Sequence, residues 1–348
     1  MTHEKFSVGL TPGFLGADGK IRFKDVGLNL LESEPHIEYT FIKQDRPFVP
    51  PDEIRDLDAF IAFGGTYTRE TFEGANRLIL LARHGVGYDN VDLRAATDAN
   101  VMVAITPAGV RRPVAEGIIS MMFALSKDLI ARDRAVRAGD WRDKVAMGVE
   151  LRDRTLGSIG LGNISSELFR LLQPFGMRFL SFDPYTPPEL AKSLNVEIVP
   201  LSTLLRESDY VCVCCPLTDE TRGLIGADEF DLMKPTAFFI NTARGPIVDQ
   251  RALTQVLRAR GIRGAGIDVF EQEPVTPDEP LLALDNVILS PHAIAVTDEC
   301  YRDIGRLNCQ KVIQVSRGEI PDNVVNGEVL ERKGFQEKLA KYREGTRR

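Results

Sequence analysis

Three side chains that together can hold a carboxylate and move a proton beside it stand at separate points in the second half of the chain. They are Arg244 in Asn241-Thr-Ala-Arg-Gly245, Glu273 in Asp268-Val-Phe-Glu-Gln-Glu-Pro274 and His292 in Ser290-Pro-His292. Each lies just past an apolar run that reads as a strand. A planar guanidinium grips a carboxylate through two parallel hydrogen bonds, an imidazole exchanges a proton with a hydroxyl near neutral pH, and a carboxylate orients and charges that imidazole. Taken singly, each also suits a purely structural role, as an ion pair, a solvated turn before Pro274, or a satisfied backbone group near a strand end. The three together point to acid-base chemistry on a small carboxylic acid.

A second constellation lies in Thr155-Leu-Gly-Ser-Ile-Gly-Leu-Gly-Asn-Ile-Ser165. Leu156 to Leu161 read as a buried strand. Gly160 and Gly162 supply the tight turn and the close backbone approach, and Ile164 to Phe175 read as a helix whose N-terminus can hold a pyrophosphate. Ser165 stands where the fingerprint has its third glycine. The next predicted strand, Met177 to Phe182, ends at Asp183, about 20 residues on, as the dinucleotide fingerprint requires. A carboxylate there suits two ribose hydroxyls and repels a 2′-phosphate, so the pattern predicts NAD rather than NADP.

These residues need sheets to position them. With 348 residues, 43% hydrophobic and 27% charged, the chain is long enough for two cores and ordinary for a soluble protein. A net charge of -7 gives no electrostatic reason to expect nucleic acid. Phe6 to Leu10, His36 to Phe41, Ala59 to Phe63, Leu78 to Leu81 and Val101 to Ile105 are predicted as strands of a first α/β unit. The glycine-rich strand, the strand before Asp183, Tyr210 to Cys214, Ala237 to Asn241, Gly264 to Val269 and Val287 to Leu289 alternate with helices. That alternation predicts a doubly wound parallel sheet.

Pro113 suits the first turn of a helix, and Val114 to Arg137 are predicted as one continuous helix ending near Gly139, about 35 Å long. Its broad apolar side suggests a connecting element with a homodimer contact through residues 113–138, the alternative being a helix wholly within one core. Cys212, Cys214 and Cys215 crowd one apolar strand, where Cys212 and Cys214 share a face, so no CxxC ligand pair or disulfide framework is read; buried reduced thiols and no metal site are expected. The opening Met1-Thr-His-Glu-Lys5 lacks a signal pattern and no run is long enough to span a bilayer, which leaves a cytoplasmic protein without a membrane partner as the expectation. The tail, 331–348, is basic and poor in large apolar residues, and is expected to be loosely held.

The chain resembles the NAD-dependent D-isomer-specific 2-hydroxyacid dehydrogenases and, more loosely, the D-3-phosphoglycerate dehydrogenases among them. The likeness runs from about Leu78 through Asn326. It rests on Gly85-Val-Gly-Tyr-Asp-Asn-Val-Asp92, Val114-Ala-Glu116, Ala138-Gly-Asp-Trp141, Gly160 to Ile164 with Asp183, Pro216-Leu-Thr-Asp-Glu-Thr221, Asn241 to Gly245, Asp268 to Pro274 and Pro291-His292.

The resemblance implies two doubly wound parallel-sheet domains: a Rossmann NAD-binding domain, 107–293, inserted into a flavodoxin-like substrate domain made of 1–106 and 294–330. It places Gly160, Gly162, Asn163, Ile164, Asp183, Cys215, Pro216, Thr242, Ala243, Arg244, Asp268 and His292 against NAD. It implies that Arg244 and the backbone N–H groups of Val86 and Gly87 bind the substrate, and that His292 and Glu273 act as an acid-base pair in which Glu273 favours the imidazolium. The expected reaction interconverts a D-2-hydroxy acid and its 2-keto acid by hydride transfer. Formate dehydrogenases of this architecture carry glutamine where Glu273 stands, which argues against formate.

Two departures and one alternative accompany that expectation. Many relatives carry histidine or asparagine at the position of Cys214, and Ile294 with Ala295 replaces a frequent pair of glycines, narrowing the room beside the nicotinamide. The alternative from another class is an NAD(H)-sensing regulator like the C-terminal-binding-protein co-repressors, which share this fold. His84, Tyr67, Arg111 and Arg112 fall in segments expected to border the substrate, where the basic pair either holds a second anionic group or stands as solvated charges at the start of the long helix.

Overall fold

Strands buried on both faces need apolar side chains in both directions, and the strands of this chain are built that way. The computed structural model describes residues 5–43, 48–142 and 146–345. Residues 1–4, part of the opening segment considered above, and the last three residues of the tail lie outside the described residues. The chain divides into two compact units, Met1–Val110 with Val296–Arg348, and Arg111–Ala295.

In the first unit β1 (Phe6–Leu10), β2 (Ile37–Phe41), β3 (Ala59–Ala62), β4 (Leu80–Arg83) and β5 (Met102–Ala104) form a parallel sheet in the order β2-β1-β3-β4-β5. This is the flavodoxin-like order, with its switch point between β1 and β3. Strand alternation sorts the core into two layers. Ala59, Ile61, Leu80 and Ala82 face one with Val8 and Leu10, while Phe60, Ala62 and Leu81 face the other.

The second unit holds β6 (Thr155–Ile159), β7 (Arg178–Phe182), β8 (Val196–Ile198), β9 (Tyr210–Val213), β10 (Phe238–Asn241), β11 (Gly264–Ile267) and β12 (Val287–Leu289). All pair in parallel in the order β12-β11-β10-β9-β6-β7-β8. Counted from β6, that is the Rossmann order 3-2-1-4-5-6 with one more strand beyond. Val211, Val213 and Phe239 point into one layer; Tyr210, Cys212, Phe238 and Ile240 point into the other. The helix Asn163–Leu172 lays Leu168, Phe169 and Leu172 into this second layer at helical spacing.

Two expectations are corrected. The single helix over 114–137 is two: Pro107–Ser126, then Leu129–Arg137. Pro107 occupies the first turn and Pro113 lies inside the helix, while Asp128, with φ +51, takes the left-handed conformation that ends one helix before the next begins. The apolar side of the first helix is taken up by the second unit's own core, where Ile118, Met121, Met122 and Leu125 are buried. Of the segment 113–138 expected to form a homodimer contact, it is therefore the second helix that exposes large apolar side chains.

The tail is not loosely held. Lys333–Gly345 is a helix whose Phe335 and Leu339, four apart, are fully buried in the first unit. Tyr342 adds an edge-on contact with Phe6 at 5.0 Å and donates a 2.7 Å hydrogen bond to Asp58, and Lys338 donates to the carbonyls of Leu78 and Ala99. Three well-spaced apolar contacts anchor a helix that composition alone marks as solvated.

Candidate active site

Because every strand of the second sheet runs the same way, the C-terminal strand ends share one edge. There β6 delivers Gly160 to Ile164, β7 delivers Asp183, β9 delivers Cys215 and Pro216, β10 delivers Thr242 to Arg244, β11 delivers Asp268 and β12 leads to His292. The order reverses between β6 and β9, and ligands of such sheets bind at that reversal.

The turn after β6 fits a dinucleotide. Gly160 has φ +98, and a Cβ there would stand 2.9 Å from the Cys215 nitrogen, so the turn and the loop after β9 are in backbone contact. At Gly162 a Cβ would meet nothing within 4 Å, which leaves the first turn of the helix Asn163–Leu172 open to an approaching group. Its unpaired N–H groups and dipole favour an anion. Ser165 packs where the third glycine would: it is fully buried, and its hydroxyl donates back to the Gly162 carbonyl at 3.3 Å.

Asp183 accepts from the Leu161 N–H through Oδ2 and from the Tyr185 N–H through Oδ1, each at 2.8 Å. Each carboxylate oxygen keeps a second lone pair for a ribose hydroxyl. The three crowded cysteines are free thiols, as are Cys300 and Cys309. Burial pushes the Cys214 thiol up to about 12 and the Cys215 thiol up to about 11, so neither is a ready nucleophile.

His292 and Glu273 meet: the imidazole Nδ1 lies 2.7 Å from Oε2 of the carboxylate. The other oxygen, Oε1, accepts from the Phe270 N–H at 2.9 Å. Partial burial raises the Glu273 carboxyl, but the bonds from His292 and Phe270 and the nearby charges of His292 and Arg244 outweigh it, leaving the group below the usual carboxylate range. The pair therefore favours the folded state above the ordinary carboxylate range, a contribution that fades as pH falls through the lowered value.

His292 has φ +53, which costs a non-glycine residue about 1 kcal/mol or more. Asp268 offsets that cost. Its carbonyl accepts from the His292 N–H at 2.7 Å, and its carboxylate Oδ1 accepts from Ala293 and Ile294 at 2.8 and 3.1 Å. The sequence marks Asp268 as a cofactor neighbour; its anchoring of the His292 turn is a role that sequence reasoning missed. The Ile294 side chain lies against Gly117, where a Cβ would come within 2.6 Å of it.

Arg244 is held the same way. The Asn241 side chain, almost fully buried, accepts from the Ala243 N–H and donates to the Arg244 carbonyl, both at 3.0 Å. This is an Asx-type turn, and an asparagine closing a strand is the signal that could have revealed it. Gly245 then passes so close to Phe270 that a Cβ would sit 1.9 Å from its carbonyl carbon. Only glycine allows this approach, and it brings the Arg244 loop beside the segment that carries Glu273.

Val86 and Gly87 belong to the first unit, in the loop after β4. The loop's root is fixed by Gly85, whose N–H donates to the Thr106 hydroxyl at 3.1 Å and whose carbonyl accepts from the Thr106 N–H at 2.9 Å. Of the residues considered for a second anion, Tyr67 is buried and bonds Gly64, and Arg112 pairs with Glu116 and Glu167 at 2.5 and 3.2 Å. Burial and the charge of Arg83 push His84 down to about 3, leaving it neutral at working pH. Among the described residues no cluster of three His, Cys, Asp or Glu side chains can hold a metal, and no helix is long and apolar enough to cross a membrane.

Residues 119–293 match the family model described as "D-isomer specific 2-hydroxyacid dehydrogenase, NAD binding domain". The chain is 38% identical over 317 residues to a glyoxylate reductase of Korarchaeum cryptofilum, covering 88% of this chain and 96% of the relative. It is also 38% identical over 294 residues to a D-3-phosphoglycerate dehydrogenase of Methanocaldococcus jannaschii, covering 84% of this chain but only 55% of that longer protein. A similar solved structure is the D-lactate dehydrogenase of Aquifex aeolicus complexed with NAD and lactic acid, with a TM-score of 0.80, 28% identity, and coverage of 92% of this chain and 99% of that one. With the switch-point turn, the acid after β7 and these similarities together, the chain belongs to the NAD-dependent D-isomer-specific 2-hydroxyacid dehydrogenase family.

Proposed function

We propose that the protein reduces a 2-keto acid to the D-2-hydroxy acid, and runs the reverse oxidation, with Arg244, His292 and Glu273 as its working side chains. NAD, when bound, carries the hydride. The observation that carries the residue assignment is the 2.7 Å contact between His292 Nδ1 and Glu273, because it leaves Nε2 as the nitrogen that serves the substrate oxygen.

In the reducing direction, Arg244 grips the substrate carboxylate through its planar fork, aided by the backbone N–H groups of Val86 and Gly87. As hydride arrives at C2, Nε2 of His292 gives its proton to the carbonyl oxygen, producing the hydroxyl. The ring is left neutral and regains a proton from solvent. In the oxidising direction, neutral Nε2 takes the hydroxyl proton as hydride leaves C2. Throughout, Glu273 accepts from Nδ1, which fixes the tautomer and the ring plane, and Asp268 fixes the turn beneath.

The assay is NADH consumption across a panel of 2-keto acids including glyoxylate, hydroxypyruvate and pyruvate, with chiral analysis of the glycerate and lactate formed, glycolate being achiral. D-products from at least one acid support the reading; no turnover of any of them, or an L-product, overturns it. Binding of peptides without keto acid turnover would instead favour a nucleotide-sensing regulator.

For the cofactor, Asp183→Ala is expected to erode the preference for NAD over NADP by about 10- to 100-fold, the worth of hydrogen bonds to a charged group. Comparison of kcat/KM with NADH and NADPH reads it directly, and an unchanged ratio refutes the role of Asp183.

The protein is further proposed to be a homodimer through the segment 113–138, chiefly the helix beyond Asp128. Leu129, Ile130 and Val136 are exposed on the second helix, with Trp141 and Met147 exposed beyond it. Apolar side chains gathered in this way favour burial against a second copy. Sedimentation at micromolar concentration should give the dimer mass, and a monomer would contradict the proposal.

A further inference from the structure

The edge of the first unit that carries the Val86 and Gly87 loop also carries an arginine with an unusual setting. After β1, Thr11 and Phe63 exchange two hydrogen bonds of 2.9 Å, clamping the loop after β1 to the loop after β3. The chain then makes a short turn at Pro12–Phe14 and a small hairpin closed by the bridge between Leu15 and Ile21. The Arg22 N–H donates to the Phe14 carbonyl at 3.0 Å, so the hairpin returns Arg22 to the strand ends.

There its guanidinium carbon lies 4.7 Å from the centre of the Phe23 ring and 5.8 Å from that of Phe63. Phe23 stacks on Tyr301 at 4.0 Å, and Phe63 packs against His84 at 5.0 Å. His84 is two residues before Val86, so a continuous aromatic shelf links Arg22 to the root of the substrate loop.

A guanidinium held over a ring spends none of its N–H donors on a carboxylate, and the shelf limits the conformations its long stem can take. Arg22 is exposed, and among the described residues no carboxylate pairs with it. The other basic candidates on this edge are occupied: His84 is buried and neutral, and Arg83 donates to the Ala62 carbonyl and to Asn90.

We propose that Arg22 is a specificity-determining residue that takes the distal anionic group, a carboxylate or a phosphate, of a 2-keto acid bound at the Val86 and Gly87 loop. The inference rests on the proposed function. It adds a substrate class: keto acids with a second negative charge several bonds from the carbonyl.

The test compares wild type, Arg22→Met and Arg22→Lys with NADH and four acids. 2-Oxoglutarate carries a distal carboxylate, 3-phosphohydroxypyruvate a distal phosphate, and glyoxylate and 2-oxobutyrate carry neither. Arg22→Met is expected to lower kcat/KM for one or both distal-anion acids by about 10- to 100-fold, chiefly through KM, with glyoxylate and 2-oxobutyrate unchanged within about twofold. The acid that suffers identifies the anion. Arg22→Lys should recover only part of the loss, because a point charge replaces a planar fork.

An equal fall on all four acids, an unchanged selectivity, or a wild-type enzyme that reduces glyoxylate but neither distal-anion acid overturns the role of Arg22 while leaving the proposed function standing. If wild type reduces none of the four, the role of Arg22 falls, and the proposed function falls with it only where hydroxypyruvate and pyruvate are not turned over either.

Discussion

Replacing His292 with Ala is expected to lower kcat by about 100- to 10,000-fold, the usual worth of a positioned general acid. The loss should appear in kcat because the missing proton transfer occurs in the transition state, whereas the ground-state grip on the substrate carboxylate is left in place. The backbone should survive the change, since the bonds from Asp268 to residues 292, 293 and 294 do not involve the imidazole. NADH affinity, read by fluorescence titration, should therefore stay close to that of wild type. A His292→Ala enzyme with wild-type kcat would remove His292 from the chemistry.

Arg244→Ala carries the second large effect. Loss of a bidentate, charge-assisted pair with a carboxylate removes about 2 to 4 kcal/mol, or about 30- to 1,000-fold in kcat/KM. The substrate KM should rise, and kcat should fall because the keto acid is no longer oriented. Arg244→Lys should rescue little, since an ammonium cannot reproduce the fork. Steady-state kinetics with a small 2-keto acid check both variants, and an unchanged KM in Arg244→Ala would remove Arg244 from substrate binding.

The parallel sheets were legible for a simple reason. A strand buried on both faces is a short apolar run, so Ala59–Ala62, Tyr210–Val213 and Phe238–Asn241, buried throughout, can be delimited to within a residue at each end. β8 was not legible because it is a three-residue edge strand with Glu197 and Ile198 exposed, which leaves no run to see. The break between the helices Pro107–Ser126 and Leu129–Arg137 has no glycine to announce it; Asp128 takes the left-handed turn instead. In the tail, Phe335, Leu339 and Tyr342 keep helical spacing, but the charges between them dominate any reading by composition.

Around the site, the candidate side chains stand out because each follows a strand in one parallel sheet. Their supports do not. The side-chain clamp of Asn241 on residues 243 and 244 and the hold of Asp268 on the His292 turn both end on main-chain groups, and Gly245 approaches the main chain of Phe270. Asn241 at the end of its strand signals a turn, but residue type does not name the partners, because each is main chain that every residue possesses. The Arg22 shelf is hidden similarly, since it joins residues 22, 63 and 301 through ring contacts across three chain segments.

The most direct test of the assigned chemistry is the crystal structure of the complex with NADH and oxamate, a non-reacting mimic of a small 2-keto acid. The oxamate carboxylate is expected within about 2.7–2.9 Å of the Arg244 guanidinium, with the oxamate carbonyl oxygen in hydrogen-bond contact with His292 Nε2. Oxamate held by other residues, with His292 Nε2 turned away from its carbonyl, would contradict the account.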